Sequence, residues 1–194
     1  MYHTALFDPQ VEPAPREYWA AGRNYAFVHD LSDGIPPEFG EADLIYAEVP
    51  WKDGFHTFGE RAGVRQKVSY AEWAFRLSAG LIRLGKPFVL VGGAAMSRHM
   101  AWEWFRRVDL NGSVSAAIGA GLPPPPDEIR DAETLILHLA GNPLFLTVGD
   151  PCCGFGRTLR IFMQAGKFAI GSDLNPRCIG YIADNASKWM AECR

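Results

Sequence analysis

LFLTVGDPCCGFGRTL, residues 144–159, reads as a strand, a tight glycine-containing turn and the start of a helix. Leu144 to Val148 is a short, continuous apolar run of the kind that forms a buried strand. Gly154 and Gly156 flank Phe155. Glycine suits such a turn because a ligand must approach the backbone closely and φ can turn positive. A helix predicted over Thr158 to Ala165 points its positive end at the turn. A second strand, Phe168 to Gly171, follows, and Asp173 stands at its end, about twenty residues beyond the turn. A carboxylate there can accept hydrogen bonds from both hydroxyls of a ribose. A lone Gly-x-Gly is weak evidence, but the full string of strand, turn, helix, strand and terminal acid points to a nucleoside-type cofactor. NAD fits less well. The third glycine of its fingerprint would fall at Leu159, and no diphosphate-binding turn is otherwise apparent. Asp150, at the start of the loop, suits a ligand bearing an ammonium and a sulfonium better than one bearing pyrophosphate.

Working outward, the rest of the chain alternates strands with helices. Short apolar runs at Tyr25 to His29, Asp43 to Ala47 and Pro87 to Val91 predict buried strands, and Ser113 to Ile118 predicts a weaker one. Ser69 with Glu72 forms a capping-box pattern, and Trp73, Leu77, Leu81 and Leu84 recur at helical spacing up to Gly85. Residues 94–105 and 128–140 also read as helices, as does Pro176 to Ala191. Residues 1–22 read as an arm or irregular lead-in, and 31–42 and 52–68 as loops. Continuous rather than alternating apolar runs predict an α/β fold with a mainly parallel sheet covered by helices on both faces. Pro123 to Pro126 reads as a rigid spacer inside one domain, spanning residues 23–194, with halves 23–122 and 127–194.

The bulk numbers are those of an ordinary globular chain. Its 194 residues are 48% hydrophobic and 21% charged, with a net charge of −3. Bulk attraction to nucleic acid is therefore excluded, and any such site must be a local patch. No apolar run approaches the ~18 residues of a membrane helix, and no secretory signal is evident. Cys152, Cys153, Cys178 and Cys193 lack the spacing of a zinc site or a disulfide framework. Reduced thiols in a cytoplasm are the simplest expectation, with no metal.

DPCCGFGRTL followed by GKFAIGSDLNPRCIGYI resembles the S-adenosyl-L-methionine (AdoMet) motif of the DNA amino-methyltransferases, which act on exocyclic amino groups of adenine or cytosine. The matching residues are Asp150, Pro151, Gly154, Gly156, Thr158, Asp173, Asn175 and Pro176. Permuted members of that family place the cofactor loop near the C-terminus and the catalytic loop near the N-terminus, the order found here. The resemblance implies a Rossmann-like fold and a cofactor site of Asp30, Asp150, Pro151, Cys152, Gly154, Gly156, Thr158, Asp173, Leu174 and Asn175. YAFVHD is similar to the strand whose terminal acid, here Asp30, lies near the adenine.

DLIYAEVPW is similar to the strand leading into the catalytic (Asp/Asn)-Pro-Pro-aromatic loop, which nominates Glu48, Pro50 and Trp51. In that chemistry a side-chain oxygen and a backbone carbonyl accept the hydrogens of a poorly nucleophilic amine. The aromatic stacks on the base, flipped out if the substrate is a duplex. The pattern breaks at Glu48 and Val49. Glu48 keeps the charge but adds ~1.5 Å of reach, and misplacement on that scale can cost ~100-fold in rate. Three readings stay open: methylation of the same amine, adenine N6 foremost; transfer to another acceptor, or of a different group to a base; or an AdoMet-binding protein that no longer methylates and serves as a DNA-binding or regulatory subunit. An NAD-type oxidoreductase is the outlying fourth. Lys52, Arg61, Arg65 and Lys67 are candidate contacts to DNA. The core elements leave little chain for target recognition, so a homodimer or a partner subunit is a further expectation.

Overall fold

The computed structural model describes residues 13–50, 52–64, 67–93, 105–110, 114–119 and 121–193. One eight-stranded sheet organises them. Its strands are β1 (Tyr18–Ala21), β2 (Asn24–Val28), β3 (Leu44–Glu48), β4 (Phe88–Gly93), β5 (Phe105–Asp109), β6 (Val114–Gly119), β7 (Thr147–Asp150) and β8 (Phe168–Asp173). Their spatial order is β1-β2-β8-β7-β3-β4-β6-β5. The five central strands, β2 to β4 in that order, are parallel, and β1, β6 and β5 are attached antiparallel.

Helices α1 (Lys52–Arg61), α2 (Tyr70–Leu84), α3 (Ala132–Gly141), α4 (Arg157–Gln164) and α5 (Pro176–Ala191) cover both faces. β3 shows how its residues divide between them. Leu44 and Tyr46 pack into a core with α3, α4 and α5, whereas Ile45 and Ala47 pack into a second core with α1 and α2. Side chains on a strand alternate between faces, so a strand buried on both sides must be apolar throughout. All of Leu44 to Ala47 is accordingly buried.

The structure departs from the sequence reading in four places. The lead-in is partly ordered: Tyr18–Ala21 forms the edge strand β1, and Arg16 is tied to α5 by its amide to the Pro176 carbonyl at 2.9 Å and by an ion pair with Asp184 at 2.9 Å. Residues 52–61 are helix rather than loop. The expected loop 31–42 contains two short 3₁₀ turns, Leu31–Asp33 and Pro37–Glu41. The strand β5 went unread; its Arg107 pairs with Asp109 at 2.9 Å, placing charge on an outer edge as such strands require. The helix expected over 94–105 lies outside the described residues, apart from Phe105, which opens β5. The Ser69 cap holds as expected, its hydroxyl accepting from the Glu72 amide at 3.2 Å, and Gly85 ends α2 in a left-handed conformation.

Candidate active site at the switch point of the sheet

From β7 the chain crosses through α4 to β8 on one side, whereas β3 leads through α1 and α2 to β4 on the other. The order reverses between β7 and β3, and a crevice opens outside the carboxyl ends of such strands. β3 pairs with β7 through Leu44 with Val148 and Ile45 with Gly149. Ala47 and Glu48 therefore run past the end of β7, and the strands part where the glycine loop begins.

The loop's geometry follows from its residues. Asp150, the last residue of β7, is buried and accepts from the Cys152 amide at 3.0 Å and from the Thr158 hydroxyl. Burial pushes its carboxyl from 3.8 up to about 7, and the charges of Glu48 and Asp173 push the same way. The Cys153 amide donates to the Ser172 carbonyl at 2.9 Å, and the Ser172 hydroxyl donates to the Pro151 carbonyl at 3.2 Å, fastening the loop to β8. Gly154 (φ +50°) and Gly156 (φ +81°) both adopt the left-handed region. A Cβ at Gly156 would come within 2.9 Å of Ile182, so this glycine lets α4 pack on α5. A Cβ at Gly154 would meet nothing within 4 Å and would project into open space. Gly154 thus leaves open space beside the turn.

Asp173 closes the other side. Its Oδ2 accepts from the Gly154 amide at 2.9 Å and its Oδ1 from the Asn175 amide at 2.8 Å. Burial still holds the carboxyl above its usual range. Each oxygen keeps a lone pair, so the group can accept from ribose hydroxyls while it braces the loop. Leu174 is half-buried beside it, and the Asn175 side chain caps α5 by accepting from the Arg177 amide at 3.0 Å. Asp30 follows β2, whose end adjoins β8 through the His29 amide and the Asp173 carbonyl at 3.0 Å. Its carboxylate accepts from the Ser32 amide at 2.8 Å and lies 3.6 Å from the Lys67 ammonium. Burial works against its charge, but the Ser32 bonds and Lys67 outweigh it and hold the carboxyl below the usual range.

The β3 end brings the surprise. Glu48 Oε1 takes a hydrogen bond from the Tyr46 hydroxyl at 3.2 Å and forms an ion pair with Arg157, the first residue of α4. Sequence reading missed Arg157 as a site residue. It lies 109 positions from Glu48, and no spacing rule connects them. Tyr46 also donates to the Ala132 carbonyl at 3.4 Å, bringing the start of α3 to the crevice. Asp131 there caps α3, accepting from the Thr134 amide at 2.7 Å and its hydroxyl at 2.8 Å. Val49 is buried, and its amide donates to the Val91 carbonyl at 2.9 Å. A proline in that position has no N–H to give, so the departure from Pro-Pro extends the pairing of β3 with β4 by one residue.

Among the expected basic contacts, the structure describes the side chains of Arg61 and Lys67. Arg61 is exposed at the end of α1; Lys67 is also exposed and pairs with Asp33 at 3.1 Å and with Asp30 at 3.6 Å. Lys52 opens α1. Arg65 and Trp51 lie outside the described residues. Phe55 is buried against Tyr70 and Trp73 and is core, whereas Phe58 is exposed.

No protein-family model matches the sequence, and no curated protein does. Among solved structures, TTHA0409 of Thermus thermophilus, provisionally named a DNA modification methylase, aligns with a TM-score of 0.54 at 16% identity, covering 84% of this chain and 94% of that one. The chain shares the fold of this Thermus protein. A selenomethionine form of the same Thermus protein aligns at 0.50 and 15% identity, covering 78% and 88%. That protein has also been crystallised with S-adenosyl-L-methionine; this third form aligns at 0.49 and 15%, covering 79% and 87%. No helix among the described residues is long and apolar enough to cross a membrane.

Proposed function

We propose that the chain binds S-adenosyl-L-methionine in the crevice between β7, β8 and β3 and transfers its methyl group to an exocyclic amine of a DNA base, adenine N6 foremost. One observation carries the reading: the ends of β3 and β8 bring Glu48 and Asp173 within reach of the charge of Asp150 at the end of β7, beside a glycine whose missing side chain leaves space. The fold shared with TTHA0409 supports it.

Bound AdoMet would supply a methyl already activated on a sulfonium. The chain's own work is then mostly alignment. Asp173 accepts from the ribose hydroxyls, Asp30 marks the adenine end, and Gly154 admits the ligand against the backbone. Pro151, Cys152, Gly156, Thr158, Leu174 and Asn175 shape the loop and its anchors. Ionised Asp150 faces the cationic end. Glu48, through its second oxygen, and the backbone around Val49 and Pro50 accept the amine hydrogens. Trp51 stacks on the base. Lys52, Arg61, Arg65 and Lys67 contact the DNA backbone from the segment after the catalytic loop, and a second copy or a partner subunit completes target recognition.

Mass spectrometry of nucleosides from DNA of a producing cell tests the reaction. A single added methyl on adenine is expected; a methyl on cytosine would move the target base, and a different added group would overturn methyl transfer. The Glu48–Arg157 ion pair favours a second reading, in which the chain binds AdoMet without methylating and acts as a regulatory or DNA-binding subunit. Unmodified DNA together with tight AdoMet binding would select it.

A further inference from the structure

Arg157 is placed by two rules at once. It directly follows the glycine turn, and it opens α4, whose N-cap Gly156 has no side chain to satisfy the first amides. Its guanidinium spans the crevice to Glu48, with both side chains about one-third exposed at 30% and 32%. The other groups that bear on it are Tyr46 and Glu133, and its own charge reaches Asp131. The surroundings are thus acidic on the α3 and β3 side, with Asp150 and Asp173 across the loop. AdoMet carries two cationic centres and one carboxylate at its amino-acid end. The acids suit the cationic centres. The carboxylate needs a cation or a helix N-terminus, and Arg157 stands where α4 offers both.

We propose that Arg157 is an exchangeable cation: it pairs with Glu48 when the crevice is empty of cofactor, and with the AdoMet carboxylate when the cofactor is bound, which releases Glu48 to accept the target amine. This rests on the cofactor reading above. The exchange trades one carboxylate for another, so the guanidinium is never left unpaired in a partly buried site. The released Glu48 regains donors from the base. A base entering before the cofactor would find its acceptor occupied, so cofactor binding precedes productive base binding. The same pair then explains why a glutamate stands where the amine-binding loop resembles one that carries Asp or Asn: the longer side chain reaches Arg157 across the gap between β3 and α4.

The test is titration calorimetry of the full chain with AdoMet and with decarboxylated AdoMet, which keeps both cationic centres and lacks the carboxylate. The wild-type protein should prefer AdoMet only several-fold, because the Glu48 pair is given up, and removing that competitor should widen the preference to about tenfold or more, the size of one charge-assisted hydrogen bond. Arg157→Gln should bind the two ligands within about twofold of each other, and Arg157→Lys should restore part of the preference. Glu48→Gln, which weakens the competing pair, should tighten AdoMet several-fold relative to wild type and leave the decarboxylated ligand behind. Should Arg157→Gln fail to fold, Glu48→Gln alone decides, and unchanged selectivity and affinity would overturn the exchange. It is equally overturned if wild type does not distinguish the ligands, or if Arg157→Gln weakens both in the same proportion, as a purely structural arginine would. Absence of heat with either ligand in the wild type is a different outcome: it removes the cofactor reading, and the exchange with it.

Discussion

Replacing Asp150 with asparagine changes the charge of the site while keeping its shape, and its effect on stability can be worked through from the structure. Asp150 is buried at the end of β7, and burial pushes its carboxyl from 3.8 up to about 7, with Glu48 and Asp173 adding repulsion. The folded protein therefore holds this proton more tightly than the unfolded chain does. The stability associated with the protonated acid is fully present below about pH 4 and is lost as pH rises through about 7. That displacement corresponds to ~4 kcal/mol at pH 8. Asparagine keeps an oxygen for the Cys152 amide, which lies 3.0 Å from Oδ1, and offers an N–H to the Thr158 hydroxyl. Asp150→Asn should thus melt on the order of 10 °C higher than wild type at pH 8. The gain should shrink steadily on acidification and vanish near pH 4. Thermal unfolding followed by circular dichroism across that range reads it directly. A variant that melts lower than wild type at pH 8, or a gain that is the same at both ends of the range, would refute the claim that a charge is being held in a buried place.

Other outcomes follow from the same structure. Because Asp150 must ionise to face a cationic ligand, AdoMet affinity should weaken as pH falls below about 7, approaching tenfold per pH unit, and Asp150→Asn should flatten that dependence in calorimetry. Gly154→Ala and Gly156→Ala should separate binding from folding. The first should cost only ~1–2 kcal/mol of stability for its left-handed backbone yet block AdoMet, while the second adds a clash with Ile182 and should cost ~1–3 kcal/mol more in urea unfolding. Asp43 Oδ2 accepts from the Leu146 and Thr147 amides, both at 2.9 Å, at the opposite end of the strands from the crevice. Asp43→Ala should lower stability by ~1–3 kcal/mol and leave AdoMet affinity unchanged.

The C-terminal half was legible because its signals are local. Residues 144–176 hold a strand, a turn with two positive-φ glycines, a helix, a strand and an acid in continuous order, and each piece fell within a few residues of its expected place. The parallel centre of the sheet was legible because apolar residues run unbroken through Leu44 to Ala47 and Phe88 to Val91. Helix α1 was not. Only Phe55 and Gly59 are buried along its described side chains, and Gly54 and Gly59 each lower helix propensity by ~1 kcal/mol, so neither periodicity nor composition marks it. β1 and β5 are edge strands: β1 is only the four residues Tyr18–Ala21, with alternate exposure and none of them buried, and β5 carries two exposed arginines that break its apolar run. The Glu48–Arg157 pair was beyond local reading because the fold alone joins residues 109 positions apart. The sequence did mark Glu48 and Val49 as the break in the pattern, and that break is where the long-range contacts to Arg157 and Val91 occur.

The identity of the ligand in the crevice bears on every step above. Titration calorimetry of the full chain with AdoMet and, separately, with NAD measures it. Saturable heat with AdoMet, none with NAD, and a large loss of AdoMet affinity in Asp173→Ala are predicted. No heat with AdoMet, or AdoMet binding that Asp173→Ala leaves intact, would contradict the assignment of the β7–β8 loop as the cofactor site.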